Sequence, residues 1–97
     1  MLNITNAEKQ IINNLIKEWI DESNCNSKII ASYTISYKEY DDNESIKVLN
    51  IMTNKPDIFF GENATLYEIY LAIFKKQLNI NTIIFSEFPN MISNFYF

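Results

Sequence analysis

Apolar and polar positions alternate along this chain with two different periods, and the switches between them mark its elements. From Asn6 to about Ser23 the apolar residues Ile11, Ile12, Leu15, Ile16, Trp19 and Ile20 recur at helical spacing, which predicts an amphipathic helix. Thr5, followed three residues later by Glu8, supplies a capping box at its start, and Asn24, Asn26 and Ser27 end it. From Lys28 to Lys38 the period becomes two. Ile29, Ala31, Tyr33, Ile35 and Tyr37 share one face, and Ser32, Thr34, Ser36 and Lys38 the other, which predicts a half-buried strand. After the polar turn Tyr40-Asp41-Asp42-Asn43-Glu44, a second strand runs from Ser45 to Thr53, so the two form an antiparallel hairpin.

Pro56 breaks that strand, because it has no N–H to donate to a ladder. Ile58-Phe59-Phe60-Gly61 follows as a short element. Thr65 and Glu68 then form a second capping box for a helix of about four turns, with Leu66, Ile69, Tyr70, Ile73, Phe74 and Leu78 inward. Asn79-Ile80-Asn81 is a tight exit, and Thr82 to Phe88 a third strand stopped by Pro89. Helices are expected to cover one face of a three-stranded sheet. The helical connection between the second and third strands allows them to run parallel, which makes the sheet mixed. The expectation is one α+β domain over residues 1–97, with a core from about 6 to 88 and an apolar tail over 89–97.

Composition narrows what such a domain does. With 97 residues and 47% hydrophobic positions, the chain holds one core and is not of disordered composition. There is no histidine, and all eight basic residues are lysines. The commonest general acid–base group, the commonest metal ligand and the planar guanidinium fork for phosphate are therefore all missing. Cys25 stands alone with no histidine to activate it, and no paired acid–base constellation is visible, so no catalytic residue is expected. No metal or other cofactor and no small-molecule substrate is expected either. The cluster Glu39, Asp41, Asp42 and Glu44 lacks the spacing and the glycine of a calcium loop, and reads as a solvated turn or as a face for a basic partner. Met1 to Thr5 has no secretory pattern, and no apolar run is long enough for a bilayer, so an intracellular protein without a membrane partner is expected.

The order helix-strand-strand-helix-helix-strand, together with the run Thr53-Asn54-Lys55-Pro56-Asp57-Ile58-Phe59-Phe60-Gly61-Glu62-Asn63-Ala64, resembles a type II KH domain. It is most similar to the N-terminal domain of the small-subunit ribosomal protein S three family, in which a strand ends in a basic residue and proline and a GxxG loop opens onto a helix. That resemblance implies a KH-like fold (α-β-β-α-α-β) and an RNA-associated role in a small ribosomal subunit, organellar and specifically mitochondrial in view of the AT-rich composition. Ribosomal RNA and neighbouring ribosomal proteins are the implied partners. Lys55, Gly61, Asn63, Lys75 and Lys76 are the candidate RNA contacts. The chain departs from the pattern at Ala64, where the second glycine belongs, and at Glu62, which repels phosphate. A net charge of −4 leaves a second reading open. In it, an acidic phage or mobile-element inhibitor occupies the nucleic-acid-binding surface of a basic host defence enzyme. Glu39, Asp41, Asp42 and Glu44, with the aromatic end Phe95-Tyr96-Phe97, are the candidate partner-binding residues.

Overall fold

The computed structural model describes residues 4–39, 45–59 and 64–88. Helix α1 spans Asn6–Glu22 and opens on the expected capping box: the Thr5 hydroxyl accepts from the Glu8 N–H, and the Glu8 carboxylate accepts from the Thr5 N–H, both at 3.1 Å. Its buried residues Ile12, Leu15, Ile16 and Trp19 lie on one stripe, while Ile11 and Ile20 flank it half-buried. The helix stops where Asn24 turns left-handed at φ 54°. Asn79 does the same after the second helix at φ 58°, so asparagine fills at both helix ends a place glycine usually takes.

Strand β1, Ala31–Glu39, runs antiparallel to β2, Ser45–Thr53, in an unbroken register from Ala31 opposite Thr53 to Glu39 opposite Ser45. It starts three residues later than its alternation suggests. Over residues 28–30 the Asn54 side chain replaces the ladder, accepting from the Ile30 N–H at 2.9 Å and donating to the Lys28 carbonyl at 3.0 Å. Beyond β2, the short element is one turn of 3-10 helix, Pro56–Ile58, two residues earlier than the 58–61 expected, and one α-helix, α2, Ala64–Leu78, follows. Pro56 at the first position costs no hydrogen bond, because an N–H there has no partner within the helix. Its carbonyl accepts from the Phe59 N–H at 3.0 Å, and the Phe59 ring is fully buried.

In α2, Ala64 is already helical, so Thr65 lies inside the first turn and is not the cap that its spacing to Glu68 suggested. Tyr70, Phe74 and Leu78 form the buried stripe, and Ile69, expected inward, is 48% exposed because it lies one residue, about 100°, off that stripe. Strand β3, Thr82–Glu87, then pairs parallel to β2, with Ile83 opposite Leu49 and Phe85 opposite Ile51. The sheet order is β1-β2-β3, and the sheet is mixed, as the helical crossover allowed. Among the described residues, no helix is long and apolar enough to cross a membrane.

The core lies between the helices and one sheet face. Trp19 is its centre, fully buried, with Tyr70 stacked at 5.1 Å and the rings of Phe59 and Phe85 edge-on at 5.0 and 5.8 Å. Its indole Nε1 has no hydrogen-bond partner among the described residues, where these aromatic contacts offset the cost of a buried donor. Leu49 and Ile51 of β2 and Ile83 of β3 close the cluster, and Val48 is buried on the opposite face of β2.

At the end of the sheet where β2 and β3 begin, Lys47 ties three elements together. Its ammonium donates to the Leu78 carbonyl at 2.8 Å and meets the Glu8 carboxylate at 3.3 Å, while Asn81 brackets its backbone with bonds of 2.8 and 2.9 Å. A cation at the last carbonyls of α2 is where the helix dipole favours one. The Thr5 N–H, then the Lys47 ammonium, hold the Glu8 carboxyl below its ordinary range.

Candidate nucleic-acid interface

Parallel strands joined by a helix bring their carboxyl ends to one edge, where open α/β sheets place ligands. Here that edge holds the ends of β2 and β3 and the corner between β2 and α2. Thr53 is fully buried, and its hydroxyl accepts from the Lys55 N–H at 3.2 Å, a local turn that swings the chain off the sheet. The Thr53 carbonyl accepts from the Phe88 N–H at 3.1 Å, carrying the β2–β3 pairing one step beyond the strands. Asn54 clamps the chain before β1 from the other side, and the Ile58 N–H reaches back to the Lys55 carbonyl at 3.3 Å. Phe59 then anchors the turn in the aromatic core. The result is a braced corner with Lys55 exposed at its apex.

An open cleft of about 340 Å³ runs along this corner, lined by Asn54, Lys55, Pro56, Asp57, Ile58 and Glu87. Its lining holds one lysine and two acidic residues, so the cleft is mildly acidic and offers no concentrated anion-binding field. Its polar groups with apolar Pro56 and Ile58 suit an extended, partly apolar segment, or a nucleotide held by ring and sugar more than by phosphate.

Of the RNA candidates among the described residues, Lys55 lines this cleft and Lys75 and Lys76 do not. Lys75 and Lys76 are exposed in the last turn of α2, at the opposite end of the sheet, where Leu78 meets Lys47. The run of β2 from Lys47 to Thr53 separates the two ends by about 20 Å at strand rise. The three lysines therefore do not share one surface. Gly61 and Asn63, with Glu62 between them, lie outside the described residues, as do Asp41, Asp42, Glu44, Phe95, Tyr96 and Phe97. Glu39 ends β1, exposed. Cys25 is half-buried and free just beyond α1.

Asp57 and Glu87 are cleft residues that the sequence reading did not pick out. No motif or charge cluster marks these two; their signal is topological: a strand joined through a helix to a parallel neighbour ends beside the corner it left. No family model, curated protein or solved structure matches the chain.

Proposed function

We propose that this chain is a non-catalytic binding domain on a KH-like scaffold, serving as an RNA-associated component of a small ribosomal subunit and held there by protein contacts as well as RNA. The observation that carries the reading is the braced corner after β2. An antiparallel hairpin, a basic residue and proline at the exit of its second strand, and a helix leading to a third strand parallel to the second bring Lys55 to the sheet's carboxyl edge. In the KH pattern that this resembles, the loop that follows such a segment brings backbone close to RNA phosphates. The two acidic residues that line the cleft with Lys55 and the net charge of −4 imply weak affinity for bare RNA and a larger share for shape and neighbouring proteins.

Binding of labelled single-stranded RNA, followed by anisotropy across a salt series, tests this. Weak binding that falls with salt is expected, and Lys55→Ala should lower the slope by about one phosphate contact. Lys75→Ala with Lys76→Ala should leave binding at the cleft unchanged. No binding at low salt, or binding indifferent to Lys55, would refute the RNA reading.

One observation favours the inhibitor reading: Asp57 and Glu87 flank Lys55, and the remaining candidate lysines lie a sheet's length away. In that case the cleft receives a basic side chain of a nucleic-acid-binding enzyme. Competition between this chain and nucleic acid for a basic nuclease, weakened by Asp57→Asn with Glu87→Gln, separates the two.

A further inference from the structure

The free edge of β1 is the feature that the proposed function leaves unused. Among the described residues β1 pairs with β2 alone, and its other edge presents a row of backbone donors and acceptors. Proteins protect such edges with prolines, charged side chains, bulges, inward-pointing charges or short strands. Of these, strand β1 has only the charges of Lys38 and Glu39, at its last two positions. It runs for nine residues, Ala31–Glu39, without Pro or Gly, and its register with β2 is unbroken from end to end. The other edge strand, β3, has six residues.

The side chains of β1 fit a second copy of itself. We propose that two copies of this chain pair antiparallel through β1 about a two-fold axis at Ile35, giving one continuous six-stranded sheet. Three features of the strand select this occupant and this register. Centring on Ile35 is the only two-fold arrangement that pairs all nine residues while keeping the helices of both copies on one side. On the helix-covered face it sets Tyr33 opposite Tyr37 of the second copy and Ile35 opposite its own counterpart, aromatic and β-branched pairs of the kind that stabilise sheets. On the open face it sets Thr34 opposite Ser36 and Ser32 opposite Lys38. The charged residues of β1, Lys38 and Glu39, sit together at one end, so the antiparallel arrangement sends each to the uncharged end of the other copy, Lys38 to Ser32 and Glu39 to Ala31. No like charges meet. The inference does not depend on whether the cleft binds RNA.

The pair Ser32–Lys38 allows a charge-swap test, because both residues are exposed and, within one copy, their partners on β2 are the uncharged Met52 and Ile46. The two positions lie six residues apart on one strand, about 20 Å, too far to interact in the same molecule. Sedimentation equilibrium of the whole chain is expected to give a species of twice the 11.4 kDa chain mass, with a measurable dimer dissociation constant. Ser32→Lys places two lysine pairs across the axis and should weaken dimerisation by about twofold to thirtyfold. Ser32→Glu should strengthen it in the same range at low salt, and adding Lys38→Glu to Ser32→Lys should restore it. Trp19 fluorescence should be unchanged in all three variants, showing an intact fold. A monomer at high micromolar concentration overturns the proposal. So does a dimer that ignores the charge at position 32, or that Ser32→Lys and Ser32→Glu weaken alike.

Discussion

Replacing Phe59 by alanine removes the ring that joins the corner after β2 to the core, and the structure sets the size of the effect. The side chain is fully buried, edge-on to Trp19 at 5.0 Å and against Phe85 at 5.4 Å, with ring planes 27° apart. Truncating a buried phenylalanine costs about 3–5 kcal/mol, from lost transfer energy and from the cavity left where neighbours cannot collapse. Collapse is restricted here, because Trp19 is held on three other sides by Tyr67, Tyr70 and Phe85. A domain of this length has about 5–15 kcal/mol in total, so the substitution removes about a fifth of the stability or more. Urea unfolding followed by the fluorescence of Trp19, the one tryptophan of the chain, reads the loss directly. With a urea slope of roughly 1–3 kcal/mol/M, the midpoint should fall by about 1 M or more at unchanged slope. Phe59→Leu should recover most of the loss. Asp57→Ala, two residues away on the exposed side of the turn, should stay within about 0.5 kcal/mol of the parent. If Phe59→Ala shifts the midpoint no further than Asp57→Ala does, the ring is not seated beside Trp19 and the corner is not braced by the core.

The remaining expectations concern pH and the helix ends. The Glu8 carboxyl, held below its ordinary 4.5 by the Thr5 N–H and then by Lys47, binds its proton more weakly folded than unfolded. Its contribution is therefore present above pH 4.5 and lost as pH falls below it, and Glu8→Gln should flatten the acid limb of a stability–pH curve from urea midpoints. Tyr70 behaves with the opposite sign. Burial, then the α1 carboxylates Glu18, Glu22 and Asp21, raise its phenol above the ordinary 10.0, so stability falls as pH rises through 10, and Tyr70→Phe should remove that part of the alkaline limb. Asn79→Ala should cost about 1 kcal/mol in a thermal melt because φ is 58° there, whereas Asn79→Gly should be neutral or mildly stabilising.

The α+β class, the element order and the mixed sheet were legible because their signals are periodic. Strand β1 alternates cleanly as an edge with one wet face, and α1 carries a stripe of one helical face plus a capping box that the structure reproduces. Period fails where an element is wet on neither side or where a distant residue intervenes. Val48 and Leu49 are both buried on adjacent positions of β2, which alternation alone would split between core and solvent. The first residues assigned to β1 are taken over by Asn54, twenty-four residues away from Ile30, and no local pattern announces that bond. At α2, a Thr-to-Glu spacing that matches a cap falls one residue inside the helix, because spacing alone cannot tell a cap from a first turn.

The cleft was legible in a different way, through topology instead of composition. Collecting the lysines by type gathered Lys55, Lys75 and Lys76, yet α2 must run the length of the sheet to return the chain to a strand parallel to β2. That requirement alone sends Lys75 and Lys76 to the end of the sheet where the strands begin. By the same logic it brings Glu87, the last residue of β3, to the corner built around Pro56. Lys47, which no motif singled out, sits where α2 must end, and so meets the Leu78 carbonyl. A charged residue here takes its role from which end of the sheet the connection delivers it to. Lys55 therefore shares its cleft with Asp57 and Glu87 and not with Lys75 or Lys76, and any anion it contacts must be held chiefly by something other than local charge.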